Sequence, residues 1–154
     1  MMNNDVLRSI RYMLDISDGK VADIITLGGL NTVTKAQIIA FTKKDEEEGF
    51  EPCSDEVLAY FLDGLVFFKR GKDETRPQVP VELPITNNII LKKLRVAFEL
   101  KEEDMLATLQ ASEFPVSKPE LSALFRKPGH NNYRTCGDQL LRNFLRGLTL
   151  RVRG

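Results

Sequence analysis

A chain of 154 residues, 42% apolar and 29% charged, is long enough for one ordinary domain or two small ones, and its composition excludes the disordered and fibrous classes. It has no export-type amino terminus and no apolar run near the roughly 18 residues of a membrane span, so a cytoplasmic protein with no membrane partner is expected, its two cysteines reduced thiols. The formal net charge of zero conceals an asymmetry: residues 1–76 carry 10 Lys+Arg against 14 Asp+Glu, residues 77–154 carry 12 against 8, and from Phe114 onward the count is 8 against 2.

In chain order, Asn3 and Asn4 precede a helical pattern in which Val6, Leu7, Ile10, Met13 and Leu14 share one side. Asparagine is a preferred N-cap because its side-chain oxygen accepts an orphan backbone N–H, so a first helix is expected to start near Asp5. Ser17 opens a second helix with Val21, Ile24 and Ile25 at helical spacing, and Gly28-Gly29 closes it by permitting a left-handed backbone. Thr34 stands three residues before Gln37, the capping-box spacing, ahead of Ile38, Ile39 and Phe41; this third helix runs out in KKDEEEG. The strongest pattern, Val57, Leu58, Phe61, Leu62, Leu65, Val66 and Phe68, starts at Ser54 or Asp55 and stops at Gly71. Residues 72–86 hold Pro77, Pro80 and Pro84, each of which removes a donor and disfavours helix before it, and they read as an extended linker.

The order then begins again. Asn87-Asn88 repeats Asn3-Asn4, Leu91 repeats Leu7 and Arg95 repeats Arg11. After a one-residue shortening, Val116, Lys118 and Ala123 match Val33, Lys35 and Ala40, and Ser117 to Glu120 is again a capping box. In the last helix Cys136, Asp138, Leu141, Phe144, Leu145 and Gly147 match Cys53, Asp55, Leu58, Phe61, Leu62 and Gly64. Two copies of a four-helix unit follow, over residues 1–71 and 87–154. Each copy holds only a small core, so the expected fold is all-α, two tandem copies packed with pseudo-two-fold symmetry. Glycine inside a helix costs about 1 kcal/mol against alanine, so Gly64 and Gly147, in the shared Phe-Leu-x-Gly-Leu, mark a close backbone approach.

Little of the chemistry points to catalysis. One histidine and two separated cysteines cannot make a tetrahedral zinc set, Asp45 to Glu48 lacks ligand-loop spacing, and no phosphate cradle or nucleophile elbow is present, so no metal or cofactor is expected. Cys136 sits six residues after His130, but Cys53 keeps the same place in a copy that has Glu47 where His130 falls, which marks the cysteine as a small apolar residue under the helix start. The recurrence of Arg11 and Arg95 with Asp55 and Asp138 reads as an ion pair between the first and fourth helices of each copy. The best binding candidate is the second copy's basic set, Lys118, Arg126, Lys127, Arg134, Arg142, Arg146, Arg151 and Arg153. Arg142 and Arg146 are four apart on one helix face, and His130, Asn131, Asn132 and Tyr133 add donors, acceptors and a stacking ring, the mixture that single-stranded nucleic acid can use. A helix-turn-helix is disfavoured, because Ala111 to Ser117 is longer than that motif's turn of about 3 to 4 residues.

The stretch VSKPELSALFRKPGHNNYRTCGDQLLRNFLRGL resembles the signature of the YehS-like family, small bacterial proteins built from a duplicated domain of unknown function. The resemblance covers essentially the whole chain. It implies a cytoplasmic bacterial protein with two tandem helical domains, and it brings no activity, cofactor or catalytic residue. The first copy departs from the pattern at Glu47 and Glu51, where the second has His130 and Arg134. The expected function is a non-enzymatic binding module whose surface, His130, Asn131, Asn132, Tyr133, Arg134, Arg142 and Arg146, meets a protein or nucleic-acid partner. Two alternatives stand beside it: a small enzyme using His130, Tyr133 and Cys136, and a homodimer joined through the acidic Asp45 to Glu48 segment and the basic end.

Overall fold

A computed structural model of the chain describes residues 1–154, with eight α-helices and no strand. They fall into two compact units, Met1–Ile85 and Thr86–Gly154. No helix is long and apolar enough to cross a membrane.

The first unit holds α1 (Asn3–Leu14), α2 (Asp18–Gly28), α3 (Lys35–Thr42) and α4 (Asp55–Arg70). Its core is the apolar stripe read from the sequence: Leu7, Ile10 and Met13 of α1, Ile24 and Ile25 of α2, Ile38 of α3, and Phe61, Leu62 and Leu65 of α4 are buried. Ile39 and Phe68, counted in the same stripes, are exposed instead. The Ser17 hydroxyl accepts from Lys20 N at 3.1 Å, Thr34 and Gln37 cap each other, and Ser54 accepts from Val57 N at 3.2 Å, so three of the four helix starts are capped where the sequence placed them. The chain from Gly71 to Ile85 lies on this unit without a helix, through the Gln78 side chain to the Gly28 carbonyl and Ile85 N to Asp55 Oδ2 at 3.2 Å.

The second unit repeats the design with α5 (Asn87–Ala97), α6 (Glu102–Ala111), α7 (Lys118–Leu124) and α8 (Asp138–Arg153) around Leu91, Leu94, Met105, Leu121, Phe144 and Leu148. In both units the second and fourth helices cross at glycine. A Cβ on Gly64 would overlap the Ile24 carbonyl oxygen and stand 2.8 Å from its carbon; one on Gly147 would overlap the Thr108 carbonyl oxygen. The recurring glycine is therefore where two helix backbones touch, and the roughly 1 kcal/mol that glycine costs a helix is offset by the approach it permits.

Two expectations are corrected. Asn3 is the first residue of α1 and not its cap; Met2 precedes the helix, and its N–H donates to Asp5 Oδ2 at 2.9 Å. The asparagines instead reach across the unit. Asn4 Nδ2 donates to the carbonyls of Phe41 and Glu51 at 2.9 and 2.8 Å, and its Oδ1 accepts from Cys53 N at 2.9 Å. Asn88 makes the same three bonds to Leu124, Arg134 and Cys136. Beside them, Asn3 and Asn87 donate to Asp55 and Asp138 at 2.7 and 2.8 Å. The aspartates are thus held by amides, and the expected pairs Arg11–Asp55 and Arg95–Asp138 give way: Arg11 pairs with Asp18 at 2.9 Å, and Arg95 Nε donates to the Leu100 carbonyl at 3.1 Å. The reason is local. Helix α1 ends in a left-handed residue, Asp15, which folds the chain back so that Asp18, at the start of α2, faces the last turn of α1.

Candidate binding surface around the seventh helix

Helix α7 is only seven residues long, and its start is fixed by chemistry that the sequence shows plainly. Ser117 Oγ accepts from Glu120 N at 3.2 Å, Glu120 Oε1 accepts from Ser117 N at 3.1 Å, and Pro119 occupies the first turn, where no N–H is needed. The Ser117 backbone N–H, then its hydroxyl, then Arg134 hold the Glu120 carboxyl below the usual carboxylate range. After Phe125 the chain turns through Gly129, at φ +90°, and returns with Arg134 N donating to the Ala123 carbonyl at 3.0 Å. The buried Asn88 amide ties this loop to α5 from below, so its side chains are displayed on a fixed backbone.

Two open grooves flank α7. One, of about 540 Å³, is lined by Arg95, Glu102, Phe125, Arg126, Lys127 and His130. The Arg95 guanidinium lies 4.6 Å from the centre of the Phe125 ring, a cation–π contact. The other groove, of about 830 Å³, is lined by Lys118, Glu120, Arg126, Asn131, Asn132, Tyr133 and Arg134. Arg126 borders both. Arg134 pairs with Glu120 at 3.2 Å, both partners largely exposed, so that contact is weak and exchangeable. His130 Nδ1 accepts from Asn132 N at 3.0 Å, which puts the proton of the neutral ring on Nε2.

Five of the seven expected binding residues, His130, Asn131, Asn132, Tyr133 and Arg134, thus line the grooves together. Arg142 and Arg146 lie outside both linings: Arg142 donates to Gln139 Oε1 of its own helix at 3.1 Å, and Arg146 is exposed on α8. Arg95, Glu102 and Phe125 were not anticipated there. The available signal was Phe125, an aromatic where the first copy has Thr42.

Cys136 lines neither groove, whereas His130 lines one of them. Cys136 is buried, its Sγ donates to the Gly137 carbonyl at 3.6 Å, and burial, with Asp138 nearby, pushes the thiol up to about 11. Cys53 is its equivalent in every respect, buried and pushed up to about 12 by the loss of water and by Asp55. A thiol so raised has almost no thiolate at neutral pH, and thiolate is the nucleophile. Both cysteines fill space beneath the starts of α4 and α8, as their recurrence in the two copies led us to expect.

Comparison with known proteins agrees with the internal duplication. Residues 3–71 and, separately, 87–154 match a family described as "Protein of unknown function (DUF1456)". The chain is 50% identical over 151 residues to the "Uncharacterized protein YehS" of Escherichia coli (strain K12), covering 98% of this chain and 96% of that protein. No solved structure matches the chain. On these two matches the chain belongs to the YehS-like family of duplicated domains of unknown function.

Proposed function

We propose that the chain is a non-enzymatic binding module and that the grooves flanking α7 take an anionic partner, a nucleic acid or an acidic protein segment. One observation carries this reading: Lys118, Arg126, Lys127 and Arg134 border two open grooves together with His130, the Asn131 and Asn132 amides and the Tyr133 ring. Point charges attract an anion, and amides and a ring orient it. Arg142 and Arg146 add to the positive field of the same unit from outside the grooves.

Titration of a fluorescent single-stranded oligonucleotide tests the nucleic-acid form. If the four groove cations each meet a phosphate, log affinity falls against log salt with a slope of about −2.8, or about −3.6 for a duplex. Arg126→Glu/Lys127→Glu abolishes the binding, whereas Arg142→Glu/Arg146→Glu weakens it less. Absence of binding at low salt removes nucleic acid and leaves an acidic protein segment as the partner.

A further inference from the structure

The loop that borders these grooves has a counterpart in the first unit, and the two are built alike. In the loop after α3, Glu47 N donates to Lys44 O, Phe50 N to Glu47 O and Glu51 N to Ala40 O; in the loop after α7, His130 N donates to Lys127 O, Tyr133 N to His130 O and Arg134 N to Ala123 O. Each bond in the second set lies 83 residues after its counterpart in the first. Buried Asn4 and Asn88 hold the two loops from below. Their charges are opposite and equal. Lys43–Glu51 has two lysines against five carboxylates, net −3, and Arg126–Arg134 has three cations and no carboxylate, net +3.

Asp45 through Glu48 and Glu51 are exposed, and the Glu47 carboxylate accepts from Lys44 N of its own turn. In the second unit Arg126 and Lys127 are also exposed, at the rim of the α7 grooves. An acidic turn and a net-basic groove are thus carried by the same chain.

We propose that the α7 groove of one copy docks the acidic Asp45–Glu48 turn of a second copy, so that the chain self-associates through its two unlike repeats. This rests on the groove being an anion-binding surface and names its occupant. Exposed ion pairs are individually weak and are screened beyond about 8 Å at physiological salt, so the contact is reversible and salt-sensitive. A chain without net charge offers no overall repulsion against it.

Sedimentation velocity of the whole chain tests this at about 10 mM salt, where charges reach about 30 Å, and at about 1 M, where they reach about 3 Å. The wild type sediments faster with rising concentration in the first condition and as a monomer in the second. Asp45→Lys/Glu46→Lys/Glu48→Lys makes both loops basic, and Arg126→Glu/Lys127→Glu makes the groove acidic like the turn; each variant alone stays monomeric at low salt. Mixed together, the two variants associate, which also shows that both are folded. Three results overturn the proposal: a wild type that stays monomeric at low salt, self-association unchanged in either variant, or no association in the mixture. A wild type that stays monomeric but binds the oligonucleotide overturns the self-contact and leaves the groove as an anion site, whereas one that does neither overturns the self-contact and removes nucleic acid as well, leaving the groove to an acidic segment of another protein.

Discussion

The loop after α3 and the loop after α7 are held by the same hydrogen bonds and present opposite charge, and the separation between what was kept and what changed runs through both units. The Asn4 and Asn88 latches agree bond for bond, and the Gly64 and Gly147 crossings and the buried Cys53 and Cys136 recur in both units. All of them lie inside, where a changed side chain leaves a void, a clash or an unpaired polar group. Glu47 against His130, Glu51 against Arg134 and Thr42 against Phe125 lie at the surface around the third helix of each unit. Duplication thus supplied one scaffold twice, and the surface of each copy was free to take a different sign. At the end of the first helix the copies also part: Arg11 faces Asp18, whereas Arg95 lies over Phe125 and borders a groove.

The largest effects break the shared interior. Gly64→Ala places a methyl on the Ile24 carbonyl, and Gly147→Ala does the same to that of Thr108; helix backbones cannot give way as a flexible side chain can. Each substitution exceeds the usual overpacking penalty of about 1–3 kcal/mol, which is much of the stability of a unit this small. Loss of helical circular dichroism at 25 °C for the affected unit is the expected readout, and a melting curve unchanged by either variant would remove the crossing from the account of the fold.

Next come the latches. Asn4→Ala and Asn88→Ala each delete three hydrogen bonds at a buried position and leave carbonyls and an N–H without partners, at about 1–3 kcal/mol. The bonds also tie each loop to a single cysteine, so thiol labelling reads the two units separately. Asn88→Ala speeds maleimide labelling of Cys136 and leaves Cys53 protected; Asn4→Ala does the reverse. In the intact chain both thiols react slowly at pH 8, because burial keeps them protonated. Equal labelling of the two cysteines in either variant would mean that the latches do not act on their own units.

These latches also show how far the sequence could be read. The duplication, the helix count and most helix starts were legible because capping serines and threonines, the glycine and the cysteine act locally or recur in register. Asn3-Asn4 and Asn87-Asn88 recur visibly, but their work lies across the unit and not at the helix start. An amide at a helix start fits a cap, and nothing nearby in the chain reveals carbonyls 37 and 47 residues away. The arginine and aspartate recurrences were joined to each other for the same reason, although each has a different partner. Asp15 and Glu99, left-handed at φ +51° and +53°, turn the chain between the first two helices of each unit with no glycine to announce it. At the candidate site, periodicity put Arg142 and Arg146 on one face but could not say that this face lies outside the α7 grooves. Phe125 and Arg95, 30 residues apart in sequence, meet only in the folded unit.

The smallest effect sharpens the comparison at the groove itself. Both third helices begin with a capping box, but α3 uses neutral Gln37 where α7 uses Glu120. The Glu120 carboxyl is held below its usual range by the Ser117 backbone N–H first, the Ser117 hydroxyl next and Arg134 after that. A depressed folded pKa stabilises the native state above the unfolded value, near 4.5 for glutamate, and that stabilisation is lost as pH falls through the folded value. Between pH 7 and pH 3, therefore, amide exchange at the start of α7 speeds relative to α3, after correction for the intrinsic rates. Glu120→Gln should abolish this difference and make α7 respond as α3 does. It also removes the carboxylate that engages Arg134, leaving that guanidinium to the groove. If the groove binds anions, the same substitution tightens oligonucleotide binding at pH 7 by a few-fold, because one weak, exposed ion pair no longer competes for Arg134. An α7 whose protection relative to α3 does not change with pH would show that the charged cap contributes nothing that glutamine does not.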